Sequence, residues 1–275
     1  MPFGIPDMSK GIMIEKDSES ASVDMPEMHS HPCHELYFLI SGKRRYFIGH
    51  SIYDVVPGNL VVIPKNELHK TTSFGNKGYE RYVMYFLDED ISELERLAGQ
   101  KNWDSFINSG CLSFSYEHAE FMKQCFITAE KERRNPDAYT QLAMRNILYD
   151  IILRSMRFGA IKSRESNTNA DKIQFAAKYI SENYADEILL SEISQLAFME
   201  ETYFSKKFKK LTGFCFKEYL TQTRIKAAEK LLDETKLTVS EIADRCGFSS
   251  SNYFGDIFKH WKGCSPSEYR RLIRR

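Results

Sequence analysis

The chain has 275 residues, enough for two ordinary domains, and 42% of them are apolar, so a real core is available. No apolar run approaches eighteen residues, which excludes a membrane-spanning helix as an expectation. The formal net charge of zero hides a split: Ala170 to Arg275 carries 18 Lys+Arg against 15 Asp+Glu, net +3, and the preceding residues carry 20 against 23, net −3. That asymmetry permits a nucleic-acid partner for the C-terminal part without requiring one. The opening MPFGIPDMSKG lacks the basic head and apolar stretch of a secretory signal, so a cytoplasmic location is expected. Six scattered cysteines form no C-x-x-C pair and read as small core residues rather than a zinc or disulfide framework.

In chain order, the first ~24 residues are polar and irregular and read as a loose arm. From Met28 to Asp88, short runs rich in β-branched and aromatic residues (ELYFLISG, RRYFIGHSIYDV, NLVVIP, ERYVMYFL) alternate with turn residues at Ser41-Gly42, Pro57-Gly58, Pro64 and Gly75-Asn76. This spacing predicts a β-barrel or sandwich. After Tyr116 a helical period takes over. One helix ends before Pro136, and a second places Leu142, Ile147, Ile151 and Ile152 on one apolar face before Gly159 stops it. This helix pair is expected to cover the sheet or to pair with a second subunit. Lys162 to Lys172 is polar and aperiodic and reads as a linker. Everything beyond reads as helical. The expectation is an α+β chain: residues 1–160, a β-barrel with a helix pair; 161–171, linker; 172–275, an all-α domain.

The all-α part contains a repeat. Ser191-Glu192-Ile193 matches Ser240-Glu241-Ile242 at an offset of 49, whereas Tyr203-Phe204, Phe208-Lys209, Gly213 and Glu218-Tyr219 recur at an offset of 50. One extra residue therefore lies between the two helices of the second copy, where a loop tolerates it; inside a helix it would rotate everything beyond by about 100°. Each copy reads as a short helix, a turn, and a second helix with inward phenylalanines: Phe204 and Phe208, then Phe254 and Phe258. That is helix-turn-helix spacing. Thr238-x-x-Glu241 has capping-box form, and Gly247 suits a left-handed residue ending the first helix of copy two; Phe198 holds that place in copy one. The intervening segment, with Tyr219, Ile225, Ala228, Leu231 and Leu232 on one face, predicts a rod of roughly 25 Å that could hold two helices in successive major grooves about 34 Å apart.

Ile173 to Arg275 resembles the AraC/XylS family of bacterial transcription regulators, most specifically in VSEIADRCGFSSSNYFGDIFK, RIKAAEKLL and GCSPSEYRR. The resemblance implies a seven-helix DNA-binding domain with two helix-turn-helix units, a double-stranded promoter as partner, and contact with RNA polymerase. The faces left free by the phenylalanines nominate Thr202, Ser205, Lys206 and Lys209 in copy one, and Ser250, Ser251, Asn252 and Lys259 in copy two. The first set is expected to read base edges; the second, with Gly255 and Asp256 in its face, to position the chain on phosphates. A homodimer is expected, because two modestly basic domains on a repeated site bind far more tightly than one.

The N-terminal half contributes HSHPCHELYFLISG and GNLVVIPKNELH. His29-x-His31-x3-Glu35-x6-Gly42 has the spacing of the first cupin motif, and Gly58-x5-Pro64-x-Asn66-x2-His69 resembles the second, with Asn66 where a glycine is usual. On an alternating strand His29 and His31 share a side. With Glu35 and His69 they form a candidate divalent-metal site of three imidazoles and a carboxylate; His34 should point elsewhere. This resembles the cupin-type sensor domain of AraC/XylS regulators, which implies a small-molecule effector, a sugar or related metabolite, in the barrel. His29, His31, Glu35, Arg45 and His69 are the candidate effector contacts, beside Tyr37, Leu39, Phe47 and Tyr85 on the same strands. The alternatives are a metal-dependent cupin enzyme tethered to DNA and a regulator without a ligand. A methyl-accepting DNA-repair protein would need a zinc-held cysteine cluster that this chain lacks. The expectation is a regulator, a probable activator by that resemblance, with no catalytic residues.

Overall fold

The computed structural model describes residues 8–20, 30–73, 78–162 and 168–273. The chain divides into two compact units, Met1–Glu165 and Ser166–Arg275. Among the described residues no helix is long and apolar enough to cross a membrane. Gly75-Asn76, His29 and most of the expected linker lie outside the described residues.

The first unit holds nine strands: β1 (Met13–Glu19), β2 (His34–Ser41), β3 (Arg44–Ile48), β4 (Ser51–Val55), β5 (Leu60–Ile63), β6 (His69–Ser73), β7 (Tyr79–Phe86), β8 (Cys111–Ser113) and β9 (Ala160–Ile161). They form a six-stranded antiparallel sheet in the order β1-β7-β2-β5-β8-β9 and a three-stranded one in the order β4-β3-β6. Four helices follow the strands: α1 (Asp88–Ala98), α2 (Gln100–Ile107), α3 (Tyr116–Arg134) and α4 (Thr140–Phe158).

β2 reads as an unbroken apolar run because both of its faces are covered. Leu36 and Phe38 join Val62, Met84 and Phe86 in a core shared with Phe126, Leu148 and Ile151 of the helices. Tyr37 and Leu39 face the other way, into a core with Tyr46, Val55, Val61, Val83 and Tyr85 between the two sheets. The layers are therefore helices, large sheet, small sheet, and any inward polar group of β2 at Glu35 or Tyr37 lies between the sheets.

Three sequence expectations are corrected. The arm is not loose throughout: β1 pairs with β7 from Met13↔Tyr85 to Glu19↔Tyr79, because Ile12 and Ile14 reach the core. The segment between Asp88 and Tyr116 builds α1, α2 and β8; α1 hid because it is mostly charged and buries only Asp90, Ile91 and Leu94. On α4, Ile151 and Ile152 are fully buried as expected, but Leu142 is 59% exposed, and Met144 and Leu148 fill the core instead.

The second unit is helical throughout: α5 (Thr168–Glu182), α6 (Leu190–Leu196), α7 (Glu201–Thr212), α8 (Phe216–Glu234), α9 (Val239–Arg245), α10 (Ser251–Lys262) and α11 (Pro266–Ile273). The repeat is larger than two helices. Gly213 and Gly263 end α7 and α10 in the left-handed region at φ 84° and 74°. The next helix then starts on a returning glutamate: Glu218 accepts from the Cys215 amide at 2.9 Å, and Glu268 from the Ser265 amide at 2.8 Å. Tyr219 and Tyr269, one turn on, stack against Phe208 and Phe258 at 5.7 and 5.4 Å. Copy one runs α5 to the start of α8, and copy two runs α8 to α11, so α8 belongs to both.

Candidate nucleic-acid interface and barrel site

Both turns of the repeat close with the same hydrogen bonds. In copy two Phe248 donates to the Ala243 carbonyl at 3.0 Å and Gly247 to Asp244 at 3.1 Å; in copy one Met199 donates to Ser194 and Phe198 to Gln195, each at 2.9 Å. This is the Schellman closure, which requires a left-handed residue at its C′ position. Gly247 adopts φ 75° and Phe198 φ 53°, so a phenylalanine does here what a glycine does in the other copy. The extra residue of copy two falls just beyond, between Phe248 and the capping residue Ser250. Ser250 accepts from the Tyr253 amide at 3.2 Å, and Glu200 caps α7 from the corresponding place by accepting from Thr202 and Tyr203 at 2.9 Å. Those backbone amides hold the Glu200 carboxyl below its ordinary range.

Phe204, Phe208, Phe254 and Phe258 are fully buried. They fix the rotation of α7 and α10. Opposite them, Thr202, Lys206 and Lys209 of α7 are exposed and Ser205 is half-buried; on copy two Ser250, Asn252 and Lys259 are exposed and Ser251 is half-buried. Lys262, also on α10, is tied to Glu229 of α8 at 2.7 Å. α8 carries nineteen residues, about 28 Å of helix, and joins the copies through buried contacts at both ends: Tyr219 donates to Ala177 of α5 at 3.3 Å, and Ile225, Ala228 and Leu232 pack on Ile242, Phe254 and Phe258.

In the first unit, His31, Glu35 and His69 come together, all buried. Glu35 is on β2 and His69 opens β6, so the group spans both sheets. His31 Nε2 lies 3.0 Å and His69 Nε2 3.6 Å from the same Glu35 Oε2. Each ring's Nδ1 donates to a main-chain carbonyl: His31 to Cys33 at 2.8 Å and His69 to Glu67 at 2.9 Å. Asn66 ties the two halves together by donating its amide to the His31 carbonyl at 2.8 Å. Its φ of 59° explains the departure from glycine, since asparagine tolerates the left-handed region well among L-residues. Burial opposes charge on His31, but its contacts with Cys33 and Glu35 outweigh that and push the imidazole up to about 10. Burial likewise opposes the Glu35 carboxylate, and the two histidines still hold it well below its usual range. His34 turns to the helical side, donating to or accepting from Asp88 at 2.9 Å and stacking on Phe86.

Further along the same strands, Tyr37 and Tyr46 meet ring to ring at 4.8 Å, and the hydroxyls of both are buried without a hydrogen-bond partner. Arg81 stands over Tyr37 at 5.4 Å, and Arg44 over Tyr79 at 4.3 Å. Arg45 is not brought to this interior. It shares neither face nor partners with Tyr46 and makes a two-pronged ion pair with Asp54 at 2.5 and 2.7 Å. Phe47 shares its side of β3, since successive strand residues alternate. Arg44 and Arg81 are the interior cations that sequence reasoning missed: RRYFI is aromatic in both phases, so its pattern does not reveal which residues face in. A cavity of about 420 Å³ opens separately on the helical side, lined by Phe106, Ser109, Leu112, Leu153, Met156 and Ile161 among others.

Two families match the chain in the order its units follow: an AraC-like ligand binding domain over residues 19–124 and a helix-turn-helix domain over residues 193–272. The chain belongs to the AraC/XylS family. Among its relatives, the Msm operon regulatory protein of Streptococcus mutans is 24% identical over 87% of this chain and 84% of its own length. An uncharacterized HTH-type transcriptional regulator of Staphylococcus aureus (strain MSSA476) is 24% identical over 96% of this chain, and the chain spans 34% of that protein. The Escherichia coli regulator YijO is 41% identical over 34% of this chain and 33% of its own length. As an AraC/XylS protein the chain is a DNA-binding transcription regulator with a ligand-binding domain, not an enzyme, and its second unit is the DNA-binding part.

Proposed function

We propose that this regulator is a cytoplasmic activator that docks α7 and α10 in successive major grooves of promoter DNA as a homodimer, contacts RNA polymerase, and responds to a small polyhydroxylated effector of the sugar class held between the sheets of the first unit. The observation that carries the DNA reading is the pair of polar faces opposite the buried phenylalanines on two copies that share α8. Thr202, Ser205 and Lys206 read base edges, with Lys209 beside them; Ser250, Ser251, Asn252 and Lys259 chiefly hold phosphates. Glu200 and Asp256 keep these faces from being uniformly basic, which favours specific over indiscriminate binding. The effector reading rests on the orphaned Tyr37 and Tyr46 hydroxyls. Buried hydroxyls without partners cost free energy until something bonds them, and a hydroxyl-rich ligand fits both them and the neighbouring Arg44 and Arg81. His31, Glu35 and His69 lie at the end of the same interior.

Selection of bound fragments from a random DNA library tests the first half. One enriched motif with two parts is expected. Lys206→Ala should then lose about 1–3 kcal/mol on that motif and much less on scrambled DNA, whereas Lys259→Ala should lose about equally on both. Failure to enrich any sequence would remove the reading.

A further inference from the structure

Two imidazoles and a carboxylate converge in the first unit in a way that a hydrogen-bond network alone does not explain. Carbonyl oxygens only accept, so the Nδ1 contacts to Cys33 and Glu67 place a proton on Nδ1 of both His31 and His69. Each ring then presents its Nε2 to one carboxylate oxygen, an acceptor. A shared proton can relieve the closer pair, His31 and Glu35 at 3.0 Å; the 3.6 Å separation of His69 from the same oxygen is beyond hydrogen-bond reach. A cation at the centre relieves both.

The distances agree with one. Donor atoms about 2.1 Å from a common ion, at octahedral or tetrahedral angles, lie roughly 3.0–3.4 Å apart. The outer arrangement agrees as well: metal-binding histidines usually anchor the other ring nitrogen on a carbonyl or carboxylate, as both do here. Among the described residues this is the group whose ligand atoms all lie within 4.8 Å of one another.

We propose that His31, Glu35 and His69 bind one divalent first-row transition ion per chain, through both Nε2 atoms and the Glu35 carboxylate. Two imidazoles and one carboxylate suit zinc, iron(II), manganese(II) or cobalt(II) rather than calcium or magnesium, and three protein donors leave coordination positions for water or an effector oxygen. The ion fastens β2 of the large sheet to β6 of the small one. Tyr37 and Tyr46 occupy the next inward positions, two residues along their strands, so the open positions and the orphaned hydroxyls sit about 7 Å apart along the barrel. A ligand spanning them would bond both. The metal site itself does not depend on the effector reading.

The test uses the full chain, stripped with a chelator and titrated with cobalt(II). One equivalent should bind, with d–d absorption of a nitrogen–oxygen site, and the melting temperature should rise; zinc should displace the cobalt. Glu35→Gln and His69→Gln should each weaken binding at least about tenfold, the scale seen even for residues one step removed from a metal. His34→Gln, three residues from His31 but turned to the other face, should bind as the unaltered chain does. Absence of both spectrum and melting shift in the unaltered chain would overturn the proposal without reference to any variant. So would cobalt binding that survives Glu35→Gln and His69→Gln, or that is lost equally in His34→Gln. Sugar-induced melting shifts without metal would leave the effector reading standing while this one fell.

Discussion

Phe198 and Gly247 occupy the same left-handed place in two closures of the same kind, and they should answer substitution in opposite ways. A left-handed L-residue costs about 1–2 kcal/mol, and glycine in its place gives back part of that as lost chain entropy, about 0.5–1 kcal/mol. Phe198 is 84% exposed, with Lys172 over its ring at 5.8 Å as its recorded contact, so little packing is lost with it. Phe198→Gly should therefore raise stability by roughly 0.5–1 kcal/mol. Gly247 has no such freedom: a Cβ there would stand 2.4 Å from the Ala185 carbonyl oxygen. Gly247→Ala should cost about 2 kcal/mol or more, because strain and collision add. Urea denaturation of the two variants checks the pair, and a destabilised Phe198→Gly beside a neutral Gly247→Ala would contradict the account. The sequence already marked both positions, because the offset of 49 aligned them before any coordinates did. It could not show that Asn66 would keep the turn of a missing glycine, since that depends on φ. Nor could it show that Arg45 would bond Asp54 across the outer face while Arg44 turned inward, since the two phases of RRYFI look alike.

At the scale of elements, α8 matters most, because it ends one copy and begins the next. Its legibility followed from its apolar period; its sharing did not, because the equivalence of Glu218-Tyr219 with Glu268-Tyr269 becomes a structural statement only when Tyr219 and Tyr269 are seen on the phenylalanines of their own copies. The same limit hid α1 and α2, whose few buried residues give weak periodicity, and β9, two residues long and held by β8 rather than by its own composition. If α8 fixes the spacing of α7 and α10, breaking it should separate the copies without touching either polar face. Lys230 is exposed near its C-terminal half, and proline there removes a helical hydrogen bond at a cost of about 3 kcal/mol. Lys230→Pro should lower affinity for the two-part motif at least about tenfold, since joined sites gain more than that over separate ones. Affinity for either half-motif alone should change little. Gel-shift titrations on whole and half motifs distinguish this from general damage, and equal losses on all three would argue that α8 is only core.

For the whole molecule the question is how occupancy of the first unit reaches DNA. A ligand shifts an equilibrium only by its differential affinity for the two states, so an effector that bonds the interior must bond it better in one state than in the other. The Tyr37 and Tyr46 hydroxyls are suited to that role. Unpartnered, they each cost on the order of 1 kcal/mol; bonded by a ligand, they return it, and they do so only where the sheets are set as described. Removing both hydroxyls separates stability from response. Tyr37→Phe with Tyr46→Phe should melt higher than the unaltered chain in the absence of ligand, by the release of about 1–2 kcal/mol. It should bind the selected DNA with the same basal affinity, and its DNA affinity should no longer move with the sugar that most raises the melting temperature of the unaltered chain. Leu153→Trp, which fills the separate cavity between α2, α4 and β8-β9, should leave that response intact. The reverse result, response kept without the hydroxyls and lost with the tryptophan, would move the effector to the helical side of the large sheet. There Ser109, whose hydroxyl is also buried without a partner, becomes the group that a ligand would satisfy. β9, which lines that cavity and is followed by the segment leading to the second unit, becomes the element that carries the signal.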